Sequence, residues 1–60
     1  MKTYNDYNDI PSNAHYLGSE HGDGSMDESL ADNIDSAINP VRLRDEGGTF
    51  SYFDIAKETQ

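Results

Sequence analysis

Apolar positions recur every four residues in one stretch of this chain. Met26, Leu30, Ile34 and Ile38, with Ala37 beside them, fall on one face of an α-helix. Ser25-Met26-Asp27-Glu28 has the S-x-x-E form of a capping box, which sets the N-cap at Ser25. Asp27 and Glu28 in the first turn suit the positive end of the helix, and Pro40 stops it near Asn39. The spacing predicts one amphipathic, acidic helix over about 25–39. Such a helix is marginal alone and needs a surface to pack on.

After Pro40 the period changes from four to two. Val41-Arg42-Leu43-Arg44 alternates apolar and basic, Asp45-Glu46-Gly47-Gly48 is turn chemistry, and Thr49 to Ile55 is rich in aromatic and β-branched residues. This predicts a C-terminal β-hairpin over about 41–55. A two- or four-residue loop sets Val41 and Leu43 on the face of Phe50 and Tyr52, whereas a three-residue loop sets the arginines opposite those rings. The first register is preferred, because it makes one apolar face for the helix to cover. The competing reading starts a helix at Ser51 and carries it through Phe53, Ala56 and Lys57, and Glu58-Thr59-Gln60 reads as a frayed end.

Residues 1–24 show neither period. They are rich in Asn, Asp, Ser and Gly, which draw the backbone into local turns, and they contain Ile10-Pro11. Tyr4-Asn5-Asp6 is repeated at once as Tyr7-Asn8-Asp9, a spacing of three that suits neither strand nor helix and reads as a turn-rich stretch displaying two tyrosines. The fold class that follows is small α+β: an irregular or flexible acidic, tyrosine-containing segment (1–24) and a minimal helix-plus-hairpin unit (25–60).

Composition adds an alternative. Leu, Ile, Val and Phe supply ten of the 60 residues against a net charge of −8, which places the chain among sequences substantially disordered in isolation. With no cysteine there is neither a disulfide nor a thiolate metal site to brace a small core. The chain is therefore expected to fold in part, or with help from a partner or a copy of itself; nothing in the sequence excludes a homo-oligomer.

The charge is uneven. Residues 1–39 hold eight of the twelve acidic side chains and one of the four basic ones. Glu28, Asp32 and Asp35 stand at i, i+4 and i+7, on one side of the predicted helix. Like charges at that spacing destabilise an isolated helix, and Asp35 approaches its negative end, so stability alone does not select this row. Read functionally, the row presents carboxylates to a basic groove in the manner of a phosphate backbone. The blander reading is a solvated face partly neutralised by Arg42 and Arg44 folding back. Tyr4, Tyr7 and Tyr16 lie where no core accounts for them, and tyrosine is favoured at interfaces. The partner-binding candidates are thus Glu28, Asp32, Asp35, Asp27, Tyr4, Tyr7 and Tyr16.

Strong acidity disfavours direct contact with nucleic acid or anionic membranes. No apolar run exceeds two residues, and no apolar stretch follows Lys2, so neither a membrane span nor a signal peptide is expected, and the expected location is the cytoplasm, that of the host cell for a phage-encoded chain.

Asp23, Ser25 and Asp27 resemble the first three ligand positions of a calcium loop, but Glu28 stands where such a loop has glycine and Ile34 where it has glutamate. His15 and His21, near Glu20 and Asp23, fit no metal signature. No catalytic, cofactor-binding or metal residue is assigned, and no cofactor is implied. The reading is a non-enzymatic, small acidic protein-binding protein, an inhibitor or adaptor of phage or mobile-element type that occupies a basic, nucleic-acid-binding surface of a larger host protein. The alternative is a minor structural component ordered only within an assembly.

Overall fold

The period-two stretch builds the centre of the structure. In the computed structural model, which describes residues 1–55, Pro40–Arg44 (β3) and Phe50–Asp54 (β4) pair antiparallel. Phe50 to Asp54 is therefore strand, not the start of a helix; the continuation of that competing reading into Ala56 and Lys57, and the frayed end at 58–60, lie outside the described residues.

The register differs from the preferred one. Val41 faces Phe53 and Leu43 faces Ser51, while Arg42 faces Tyr52 and Arg44 faces Phe50. The connection spans five residues, 45–49, including a 3₁₀ turn at Glu46–Gly48, and an odd loop inverts the parity. The cost of placing arginines opposite rings is offset by stacking: the guanidinium carbons of Arg42 and Arg44 lie 4.8 and 5.1 Å from the Phe50 ring centre.

Both halves of the N-terminal segment join this hairpin, so residues 1–24 are not irregular throughout. Lys2–Tyr4 (β1) runs parallel to β3, and His15–Glu20 (β2) runs antiparallel to β4, giving a four-stranded mixed sheet in the order β1-β3-β4-β2. The tandem triplet is divided between structures: Tyr4 ends β1, and Tyr7–Asp9 is a 3₁₀ turn capped by the Asp6 side chain. In β2 the register shifts between Tyr16 and Gly18, so Leu17 is an extra residue and the simple alternation that would mark a strand is broken.

The helix is shorter than its apolar period. It spans Leu30–Ser36 (α1), not 25–39, and Ser29 rather than Ser25 stands at its N-terminal boundary, without a side-chain cap. Ser25 is committed elsewhere: its amide and hydroxyl both donate to Asp23 Oδ1, and its carbonyl accepts from His21 N at 2.7 Å. Met26 forms an isolated antiparallel bridge to Glu20 and is 53% exposed. At the other end Ala37 turns extended, and the Asp54 carboxylate accepts the amides of Ile38 and Asn39 at 3.4 and 2.9 Å, steering the chain into β3.

Each face of the sheet carries its own cluster. Leu17, Leu30 and Tyr52, with Ile34, Ala37 and Phe50 against them, form the core under α1. Ile10, Val41, Leu43 and Ile55, with Tyr4, Ala14 and Phe53, form the core on the opposite face, beneath the β1–β2 connection. Gly18 permits the closest approach of helix to sheet. It has φ +137°, and a Cβ there would lie 3.2 Å from Leu30 Cδ1. The radius of gyration, 11.1 Å, is near the roughly 10 Å of a folded chain of this size and far below the roughly 23 Å of an unfolded one. Wide disorder is thus not the state of this compact α+β chain. No helix among the described residues is long and apolar enough to cross a membrane.

Candidate functional site

Where the chain leaves β2 it reverses through 21–28, and Asp27 fastens that reversal. Asp27 Oδ2 accepts the Ser19 amide at 2.8 Å, Oδ1 lies 3.1 Å from His21 Nε2, and its own amide donates to the Ser19 carbonyl at 3.0 Å. Six residues later, within α1, Asn33 Nδ2 donates to the Leu17 carbonyl at 2.8 Å. These contacts occupy the outer edge of β2, which would otherwise expose unpaired backbone groups. Asp27 is thus an edge clamp for β2, although its side chain, 44% exposed, also reaches the surface.

The bond from the Ser19 amide, supported by His21, holds the Asp27 carboxyl below its ordinary range. A carboxylate depressed in the folded state contributes stability above its unfolded pKa of about 3.9, and that contribution is lost as the pH falls through the lower folded value. Asp27→Asn is expected to melt a few degrees below the parent at neutral pH. The two melting temperatures should converge as the pH falls through the lowered Asp27 pKa, below the ordinary carboxylate range, where both side chains become uncharged. A gap that is independent of pH would show that the charge on Asp27 has no part in the clamp.

The remaining acidic candidates are displayed. Glu28 sits in the turn before α1, and Asp32 and Asp35 sit on the outward side of α1; all three are exposed. The helix therefore carries two of the three, with Glu28 just ahead of it. The only ion pair among the described residues is His21–Asp27. Arg42 and Arg44 do not fold back onto the row: they lie over Phe50, and Arg42 Nε donates to Thr3 Oγ1 at 2.9 Å.

The tyrosines do not join the acidic row. Tyr4 is half-buried against the Ile10 cluster, on the sheet face away from α1, with Lys2 Nζ 4.8 Å from its ring centre. Tyr16 belongs to the same face but to the opposite outer strand; it is 53% exposed, its ring 5.6 Å from that of Phe53 and its hydroxyl bonded to Ser19 Oγ. Tyr7, in the 3₁₀ turn, is 67% exposed. The seven candidates thus separate into an acidic helix side, a structural clamp and a dispersed aromatic side.

Two features escaped the sequence reading. One is the stacking of Arg42 and Arg44 on the single ring of Phe50 on the α1 face, which the less-favoured odd-loop register allowed but did not specify. Beside it Tyr52 donates to Glu20 Oε1 at 2.8 Å, and burial followed by this bond raises the phenol's pKa. The other is a shallow groove of about 240 Å³ lined by His15, Leu17, Asn33, Ser36, Ala37 and Asp54. The Asn33 amide and both Asp54 oxygens in it are already spent on backbone partners. Among the described residues no three His, Asp or Glu side chains converge in a way that could hold a metal ion, and the Asp23 and Asp27 carboxylates of the partial calcium motif are engaged within the 21–27 reversal. Comparison with protein-family models, with curated proteins and with solved structures finds no match to this chain.

Proposed function

We propose that this chain is a small, non-enzymatic binding protein that acts by covering a basic surface of a larger protein, as a cytoplasmic inhibitor or adaptor. The observation that carries this reading is the exposed row of Glu28, Asp32 and Asp35, which has no cationic partner among the described residues even though two arginines lie on the same side of the sheet. A protein selected for stability alone would set those arginines against the row. Leaving it open keeps its charge available for a partner and favours fast, electrostatically steered encounter. Carboxylates in a row offer a basic groove what a phosphate backbone offers it, and an inhibitor of phage or mobile-element type acting on nucleic-acid machinery is the class this chemistry suits.

The test is affinity capture from the native cell at low and high salt, followed by titration of whatever binds. Replacing Glu28, Asp32 and Asp35 together by their amides should weaken binding about 10- to 100-fold, at up to about 1 kcal/mol per contact, and should flatten the salt dependence. A partner that binds the triple amide as tightly as the parent would refute the assignment of the row. The alternative, an assembly component ordered only within its particle, draws no support from a chain that is compact by itself.

A further inference from the structure

The helix covers half of its sheet face. At seven residues α1 is about 10 Å long and about 10 Å wide, whereas four strands span roughly 14 Å between outer axes. It packs over Leu17 of β2 and over Tyr52 and Phe50 of β4, leaving uncovered the β3 and β1 half, where Arg42, Arg44 and Thr3 lie, with the two guanidiniums reaching over the Phe50 ring at its border. Two guanidiniums held over one ring, in a chain with twelve acidic residues, and still without a carboxylate partner among the described residues, form a cationic surface with its own complement missing.

We propose that this platform receives the Asp32 and Asp35 side of α1 from a second copy of the chain, in a reciprocal two-fold pair. Platform and helix lie side by side on one face of the sheet, so a two-fold axis between two such faces sets each helix over the other's bare half. The complementarity is charge for charge: the platform offers two arginines, and α1 offers two aspartates three residues apart on its outward side. The net charge of −8 on each copy opposes approach, but at about 0.15 M salt the Debye length of about 8 Å screens distant charges, and the contact pairs persist. Each acidic helix would be engaged either by its twin or by a cationic partner, so self-pairing goes beyond the proposed function and would compete with it.

The experiment is a charge exchange read by sedimentation equilibrium at about 0.15 M salt, over about 1 µM to about 1 mM protein. The parent is expected to associate reversibly to a dimer. Arg42→Glu with Arg44→Glu, and separately Asp32→Arg with Asp35→Arg, should each weaken self-association at least about 10-fold, since each opposes like charges at both contacts. Mixed in equal amounts, the two variants should form a heterodimer about as tightly as the parent pairs with itself, because the exchange restores both contacts. Circular dichroism checks the fold of each. Should either double variant unfold, Arg44→Glu and Asp35→Arg form the second pair, both altering exposed side chains. A parent that is monomeric throughout, or a mixture that fails to pair, overturns the proposal. Neither result touches the binding of a cationic partner, which the triple amide tests separately.

Discussion

Leu30→Ala is expected to bring the protein to the edge of unfolding. Leu30 is 0% exposed and is the centre of the cluster under α1, touching Leu17 and Tyr52 and closing over Gly18. Truncating a fully buried leucine costs about 2–5 kcal/mol. A chain of 60 residues has a total stability of about 3–9 kcal/mol, so one side chain accounts for much of it. The two clusters lie on opposite faces of one sheet and meet through β4, where Tyr52 belongs to one and Phe53 packs on the other. Loss of the α1 cluster should therefore take the whole domain with it, in a single transition by far- and near-ultraviolet circular dichroism. Ile38→Ala provides the comparison: Ile38 is 77% exposed, and its truncation should move stability by no more than about 0.5 kcal/mol. If Leu30→Ala melted no lower than Ile38→Ala, the packing of α1 described above would be wrong.

The second large effect is expected at Gly22. A Cβ on Gly22 would collide with the Gly47 carbonyl oxygen, a backbone atom that no rotamer change can move. The 21–24 reversal thus rests directly on the β3–β4 loop, and Gly22→Ala must push the two apart. Overpacking of this kind costs about 1–3 kcal/mol. Gly47 is the informative contrast. It has φ 73° and ψ 13°, and open space lies around its Cβ position, so Gly47→Asn keeps a residue that tolerates this conformation and should change little. Urea midpoints of the two variants decide the matter: equal values would mean that the loops do not touch.

What could be read in the sequence follows the range of the interactions responsible. Leu30 and Ile34 anchor a real helix because their contact with the sheet needs only a local period. The predicted turns on either side, Ser25–Ser29 and Ala37–Asn39, fail because of competitors distant in the chain. The Ser19 backbone claims Asp27 across eight residues, and Asp54 claims the Ile38 and Asn39 amides from 16 and 15 residues away. The strands at Lys2–Tyr4 and His15–Glu20 were hidden for related reasons. The first is only three residues long and pairs with a segment 39 residues further along, and the second is interrupted by the Leu17 bulge and by Gly18. Hairpin parity depended on one residue in the loop, and with it the Arg42–Arg44–Phe50 platform. Of the acidic candidates, Glu28, Asp32 and Asp35 are exposed as the spacing implies, whereas Asp27 serves the neighbouring strand.

That seal along β2 limits how these sheets can grow. A strand-to-strand polymer needs two receptive borders on every unit, one to accept and one to be accepted. Here Asp27 and Asn33 take up the Ser19 and Leu17 backbone groups of one border, and β1 forms the other. Joining through β1 would use up the more open border that the described residues leave, so lateral accretion by that route ends after a single step.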